Sequence, residues 1–154
     1  MRCWLDLGLD LQPRFANFRR MAKPQLFDES KALDRLTARL ADEATERERY
    51  DAGMVEGHYL KNARCAGQSL RYVIELDGQW VVLLTFSAAA LHLKARDKFI
   101  AWSARQRARR LAMVVNNSRF FPLLDRARHP NLASKALSLV LPRPSDDWLQ
   151  HWGH

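Results

Sequence analysis

The feature that most constrains the fold of this chain is a pair of apolar segments joined by Asp77-Gly78. Residues 70–76 largely alternate apolar and polar side chains, and residues 80–86 are apolar except for Thr85. Asp-Gly favours the type I′ turn of a two-residue β-hairpin, because both central residues of that turn have positive φ. The two segments therefore predict a hairpin. Its second strand is apolar on both faces, so we expect it inside a sheet that is covered on both sides.

Upstream of the hairpin, residues 30–50 have the pattern of an amphipathic helix. Its apolar stripe is made by Leu33, Leu36, Leu40 and Ala44. Charged residues lie elsewhere on the helix, Ser30 is suited to its N-cap, and Gly53 marks its end. Residues 1–27 have an irregular pattern that includes one candidate short strand.

Downstream of the hairpin, Ser103 is a suitable cap for a short helix rich in arginine. The polar residues 116–119 predict a turn, and the segment from Phe120 to Leu124 after it predicts a further strand. Pro122 cannot donate to a sheet ladder, so this strand is expected to be bulged or to lie at an edge.

A last helix is predicted to begin at Pro130 and Asn131 and to be stopped by Pro142 and Pro144. The order of elements predicts an α+β fold with a mixed, mostly antiparallel sheet and flanking helices. We divide the chain into an amino-terminal extension, 1–57, and a basic α+β domain, 58–154.

A chain of 154 residues, 47% of them hydrophobic, is large enough for one core. No apolar run approaches the roughly 18 residues of a membrane helix, and the sequence shows no secretory signal pattern. Cys3 and Cys65 belong to no CxxC pair, which is typical of a reducing compartment and offers no metal-binding pattern. These features predict a cytoplasmic protein with no membrane partner and no bound metal.

The positive charge is concentrated in one part of the chain. Residues 1–57 carry 10 Lys and Arg against 11 Asp and Glu, whereas residues 58–154 carry 15 against 6. A basic surface of this size usually faces phosphate, in a nucleic acid or in a nucleotide-containing cofactor. The alternative is an arginine-rich surface that is only solvated.

The candidate phosphate-binding residues are Arg96, Arg105, Arg107, Arg109, Arg110, Asn117 and Arg119. Arg105 and Arg109 are like charges at i,i+4, which repel each other on an isolated helix, so a bound anion would explain their accumulation. Arg119 is the strongest single candidate, because it follows a turn-forming polar cluster that would place polar donors beside its guanidinium.

Several other residues have two interpretations. His58 is either a general base or a structural histidine that satisfies backbone groups. Arg96 and Asp97 either bind phosphate and orient a base, or pair with each other and fix the loop before Trp102. Trp102 is more typical of a core anchor than of a base-stacking residue.

Several short motifs together resemble one protein family. They are Gly57-His58-Tyr59-Leu60, Leu70-Arg71-Tyr72-Val73, Leu84-Thr85-Phe86-Ser87-Ala88-Ala89-Ala90, Arg96-Asp97-Lys98-Phe99-Ile100-Ala101-Trp102-Ser103, Val115-Asn116-Asn117-Ser118-Arg119-Phe120 and Asn131-Leu132-Ala133-Ser134. In this order they resemble the Druantia anti-phage protein A (DruA) family, whose domain of unknown function also occurs in proteins described as insertion-sequence transposases. The resemblance covers residues 57–154.

The chain departs from the family pattern at identifiable points. The family usually has glycine where this chain has Lys61 and Ala101, and it is usually more aliphatic after Phe120. It also typically continues past Trp152-Gly153 into another strand and helix. The resemblance therefore implies a truncated or naturally minimal member.

The order of elements also resembles the front of a GNAT acyltransferase, in which a bulged strand and the next helix hold the pyrophosphate of coenzyme A. The expected Gln/Arg-x-x-Gly-x-Gly/Ala loop is missing, since no glycine occurs between Gly78 and Gly153. Asn131 and Ala133 would have to approach the pyrophosphate instead.

The resulting hypothesis is an accessory domain that binds nucleic acid, DNA rather than RNA, and is linked to transposition or anti-phage defence. It needs no cofactor, and a partner protein or self-association is compatible with it. The alternative is a GNAT-like acyltransferase that uses acetyl-coenzyme A, and the sequence leaves enzymatic activity open.

Overall fold

A computed structural model describes residues 33–65, 67–125 and 129–154. The short strand predicted within residues 1–27 and the cap predicted at Ser30 lie outside these ranges. The described part contains four strands and five α-helices. In chain order they are β1 (Leu36–Leu40), α1 (Ala44–Gly57), β2 (Ser69–Leu76), β3 (Gln79–Ala88), α2 (Lys94–Ile100), α3 (Ala104–Arg110), β4 (Val115–Pro122), α4 (Leu132–Val140) and α5 (Pro144–Trp152), with one turn of 3-10 helix at Leu111–Met113.

The four strands form one sheet in the order β1-β2-β3-β4, with all three pairings antiparallel. The predicted hairpin is confirmed as β2 and β3. Its turn residues Asp77 and Gly78 have φ of 51° and 77°, as a type I′ turn requires. The α+β class is confirmed, whereas the likeness to a GNAT acyltransferase is not.

The core is divided between the two faces of the sheet. On one face, α4 and α5 contribute Leu132, Ala136 and Trp148 to a cluster with Tyr72 and other strand residues. On the other face, α1 contributes its buried side chains to a second cluster; this cluster contains Tyr50, Met54, Val73, Trp80 and Leu83. All residues of β3 from Trp80 to Ser87 are buried. The prediction of an interior strand covered on both sides is therefore confirmed.

The predicted helix over residues 30–50 is wrong for Leu36–Leu40, which form β1 and pair with β2. A spacing of four places Leu36 and Leu40 on one face of a helix, but four is also even, so it places them on one face of a strand. Pairing with β2 decided between the two. Residues 44–50 are helical as predicted, but α1 continues through Gly53 to Gly57.

Strand β1 belongs to the same sheet as the strands after residue 57 and shares an apolar cluster with them. Helix α1 shares the other apolar cluster with β2 and β3. The division of the chain at residue 57 stays a prediction. Gly57 packs closely, because a β-carbon there would clash with Cζ of Phe121. The ring of Phe121 thus occupies the space that any other residue at the end of α1 would need.

The carboxy-terminal predictions hold in part. Among the described strands, β4 lies at an edge of the sheet, as predicted, and it ends at Pro122. The turn predicted at residues 116–119 is wrong, because these residues lie within β4, where pairing with β3 extends the backbone. Helix α4 follows Asn131 as predicted. Pro144, however, opens a further helix, α5, because proline is well suited to the first turn, where its missing N–H has no intrahelical partner.

Candidate nucleic-acid interface

The connection from β3 to β4 contains α2, α3 and the 3-10 turn, and we call residues 94–113 the basic arm. None of the arm's residues is buried, and none belongs to either apolar cluster. Most candidate phosphate-binding residues lie in this arm. Polar contacts and helix caps therefore hold the arm together, with apolar side chains that are at most half-buried.

Asp97 connects the two helices of the arm. Its Oδ1 accepts hydrogen bonds from Nε and Nη2 of Arg96 at 3.0 and 2.7 Å, and its Oδ2 accepts one from Nη1 of Arg107 at 3.0 Å. Arg96 also donates to the carbonyl of Ala90 at 2.7 Å, which anchors the arm beside the end of β3. The pKa of Asp97 is lowered, first by the hydrogen bonds from Arg96 and then by that from Arg107, against an opposing effect of desolvation.

The sequence left two interpretations of Arg96 and Asp97 open. The contacts show that the two residues pair with each other. The side chain of Arg96 is 9% exposed and that of Arg107 is 30% exposed. Both guanidinium groups already hold a carboxylate. Their roles as phosphate ligands stay predictions, and Arg107 is the more accessible of the two.

Helix α3 begins with a capping box, as predicted from Ser103. The hydroxyl of Ser103 accepts from the backbone N–H of Gln106 at 3.3 Å, and the Gln106 side chain accepts from the N–H of Ser103 at 2.9 Å. This reciprocal pair satisfies two polar groups at a helix end that has no apolar support. The cap thereby fixes where the arginine-rich turns start.

Arg105, Arg109 and Arg110 differ from the other arginines of the arm. All three are exposed, and within the described ranges none of them makes an ion pair. They fall within an arc of about 140° on α3, with Arg107 turned toward Asp97 beyond it. The arm therefore presents three uncompensated guanidinium groups on one side of a helix.

Exposed cations of α2 add to this surface. Lys94 and Lys98 are exposed on the helix that carries Asp97. Sequence reasoning did not select them, although they stand in the same charged run as Arg96. From the sequence this segment is interpreted as a loop, so the spacing of four that places both lysines on one face of a helix was not used.

The two helices are joined through Ala101, which has a left-handed φ of 56°. Lys61, in the loop after α1, has φ of 47°. These are the two positions at which the resembling family usually has glycine. Glycine adopts this conformation without the steric cost that a β-carbon brings, so the departures from the family pattern fall where the backbone favours glycine.

Arg119 lies on β4 and is directed to the loop that follows α1. Its guanidinium donates to the carbonyls of Asn62 at 3.1 Å, Arg64 at 3.2 Å and Ser118 at 2.7 Å. Arg119, the strongest single candidate from the sequence, is therefore held by three backbone carbonyls. These hydrogen bonds give it a structural role, because they connect the loop after α1 to β4. Asn117 is exposed on the same strand. Phosphate binding by either residue stays a prediction.

His58 is buried at the end of α1. Its Nδ1 accepts from the backbone N–H of Leu60 at 3.2 Å, and its ring meets the edge of Phe121 with 6.0 Å between centroids. Burial lowers the pKa of His58, and the positive charge of Arg119 lowers it further. These contacts account for His58 as a structural residue, and its role as a general base stays a prediction.

A buried polar network beneath β4 was missed from the sequence. Tyr50 and Thr85 share a hydrogen bond of 2.9 Å between hydroxyls, Ser118 donates to the carbonyl of Thr85 at 3.3 Å, and Cys65 lies 3.4 Å from the Ser118 hydroxyl. Burial raises the pKa of Tyr50. The network joins α1, β3, β4 and the intervening loop, and because its members are far apart in sequence no local motif indicates it.

An open cleft with an empty volume of about 440 Å³ lies near the ends of β1 and α5, beside Arg47, Arg71 and Trp152. Arg71 pairs with Asp51 at 3.0 Å and Arg47 with Asp42 at 3.6 Å. This cleft thus offers less uncompensated positive charge than the basic arm.

The beginning of α4 was the expected site for a cofactor pyrophosphate. Asn131 occupies the N-cap position but makes no side-chain capping bond there. Coenzyme A binding stays a prediction. In the ranges that the structure describes, no group of His, Cys, Asp or Glu side chains is placed to hold a metal ion, and no helix is long and apolar enough to cross a membrane.

Comparison with known proteins identifies one family. A family model described as Druantia protein DruA matches residues 25–154. This confirms the resemblance read from the motifs and extends it toward the amino terminus, across β1 and α1. No curated protein and no solved structure matches the chain.

Proposed function

We propose that this chain, which belongs to the Druantia protein DruA family, binds DNA through its basic arm as an accessory domain in anti-phage defence. Membership of the family is consistent with a role in defence. The choice of ligand rests on a single observation: Arg105, Arg109 and Arg110 are exposed together without a carboxylate partner in the described part of the chain.

The pairing of other cations strengthens this observation. Several exposed or half-buried cations elsewhere are held by carboxylates, as in the pairs Arg35–Asp77, Arg47–Asp42 and Lys135–Asp34. Lys61 and Arg64 make no such pair in the described ranges, but they do not share a helix face with other cations. Helix α3 has no acidic residue of its own, and the one carboxylate of the arm, Asp97, is used by Arg96 and Arg107. The field around α3 is therefore suited to a polyanion, and phosphate is an effective ligand for guanidinium.

The test is a titration of labelled DNA by fluorescence anisotropy, repeated over a range of salt concentrations. Each neutralised phosphate contributes about 0.9 to the slope of log affinity against log salt. The variant Arg105→Ala/Arg109→Ala/Arg110→Ala should therefore bind more weakly and lose as much as about 3 from that slope if each arginine meets one phosphate.

The matched control is Arg35→Ala/Arg47→Ala/Lys135→Ala, which removes the same charge from paired surface positions. It should retain nearly the affinity and salt slope of the unmodified chain, since the net charge is equal but the arm is intact. An equal loss in both triple variants would show that net charge alone, and not the arm, determines binding. Absence of DNA binding by the unmodified chain would refute the proposal.

A further inference from the structure

The basic arm also carries exposed apolar side chains. Phe99 is 90% exposed, Met113 is 81% exposed, and Leu91 lies 72% exposed just before α2. Large apolar groups at this exposure in one short segment, next to uncompensated cations, are typical of a surface that meets a ligand. The apolar side chains require an explanation that the phosphate-binding arginines alone do not supply.

The chemistry of the arm restricts what can cover Phe99. A second copy of the arm would bring Arg105, Arg109 and Arg110 against their own equivalents, and like charges oppose that contact. Duplex DNA supplies phosphates, but its base faces are stacked on one another. Unpaired bases supply both phosphate for the guanidinium groups and a flat π-surface for an aromatic ring.

Geometry supports contact with a flexible strand. Phe99 lies two residues after Asp97, about 200° around α2, so it points away from the ion pair that joins α2 to α3. Arg105 and Arg109 lie on the side of α3 away from the same ion pair. Each helix is only about 10 Å long, so a strand of a few nucleotides can bend around the arm and reach both groups. A stiff duplex cannot follow so tight a path.

We propose that the basic arm binds single-stranded DNA, with Phe99 stacking on an unpaired base while the α3 arginines hold the phosphates. This inference rests on the proposed function and adds to it the form of DNA that is recognised. Stacking on an exposed aromatic residue is tolerant of base identity, so little sequence preference is expected.

The experiment compares a labelled mixed-sequence 12-nucleotide strand, the corresponding 12-base-pair duplex and a single-stranded RNA of the same sequence, lengths chosen so that each covers about one site. Phe99→Ala should weaken single-strand binding about tenfold and leave duplex binding nearly unchanged, whereas Phe99→Tyr should retain the affinity of the unmodified chain. The matched control is Tyr59→Ala, since Tyr59 is 81% exposed in the turn that follows α1, outside the arm. It should not weaken binding.

Several results would overturn the inference. Unchanged single-strand binding by Phe99→Ala, while the triple arginine variant loses binding, would refute stacking and leave the proposed function intact. If Phe99→Ala weakened binding of the single strand and of the duplex equally, Phe99 would not be selective for unpaired bases. Tighter binding of RNA than of DNA would refute the assignment to DNA. Binding of anionic lipid vesicles that depends on Phe99, with no effect on single-stranded DNA, would assign the arm to a membrane surface. If the unmodified chain binds no nucleic acid, both proposals fail together.

Discussion

The hairpin β2–β3 and the basic arm are neighbours in sequence, but they are stabilised by different forces. In β3, every residue from Trp80 to Ser87 is buried between helices on both faces of the sheet. In the arm, no residue from 94 to 113 is buried, and Asp97 connects the two helices through arginine. The hairpin therefore contributes stability through burial. The arm, in contrast, leaves Phe99 and the arginines that Asp97 does not hold exposed to solvent.

The largest expected effect tests the hairpin side of this contrast. Leu84→Ala removes a fully buried side chain from the centre of β3 and should lower the free energy of unfolding by about 3 kcal/mol, measured by urea denaturation. Leu91→Ala, at the exposed start of the connection to the arm, should change it by less than about 0.5 kcal/mol. Similar losses in the two variants would contradict the division between a packed hairpin and an unpacked connection.

A smaller loss is expected where α1 meets β4. In Gly57→Ala the new β-carbon would clash with Cζ of Phe121 and lie 2.6 Å from its Cε1, and the clash should lower the free energy of unfolding by about 2 kcal/mol. Phe121→Leu in the same chain should relieve part of that loss, because the ring is what the β-carbon meets. Strict additivity of the two substitutions would show that Gly57 is needed for another reason.

A smaller effect is expected at Lys61 and Ala101, the two left-handed positions at which the family usually has glycine. Lys61→Gly should raise the free energy of unfolding by about 0.5 kcal/mol, because glycine relieves the strain at φ of 47° but has more freedom in the unfolded chain. Lys61→Ala keeps the β-carbon and should give no gain. Ala101→Gly relieves the same strain inside the arm, and the midpoint of global unfolding should not move, since no residue of the arm belongs to either apolar cluster.

The smallest effect on global stability is expected at Asp97. Asp97→Asn removes the charge that holds Arg96 and Arg107, so amides of α2 and α3 should exchange hydrogen severalfold faster, while the midpoint of urea unfolding stays unchanged. A shift of that midpoint together with faster exchange throughout the sheet would show that the arm is part of the cooperative core.

The pH dependence of the arm follows from the lowered pKa of Asp97. A carboxylate whose folded-state pKa is depressed stabilises the fold above its ordinary value of 3.8, and the effect is lost as the pH falls through the lowered value. Protection of the arm amides, corrected for intrinsic exchange rates, should therefore be constant from neutral pH down to the ordinary carboxyl value and fall below it. Asp97→Asn should abolish that dependence.

Sequence reasoning succeeded where local pattern and environment agree. The Asp77-Gly78 turn, the apolar run of β3, the cap at Ser103 and the edge position of Pro122 each follow from backbone geometry that one or two residues set. It failed at β1, where the spacing of Leu36 and Leu40 fits a helix and a strand equally well. Pairing with β2, which the spacing of the leucines does not reveal, makes this segment a strand.

For the candidate site, the sequence by itself determined where the positive charge lies and that α3 starts at its cap, because charge and capping are properties of nearby residues. Only the tertiary structure decided which arginines remain available. Arg96 and Arg107 are held by Asp97, and Arg119 is held by loop carbonyls. The pairing of Arg96 with its neighbour Asp97 was one of two interpretations open from the sequence. The partners of Arg107 and Arg119 lie farther along the chain, and only folding brings them to within about 3 Å.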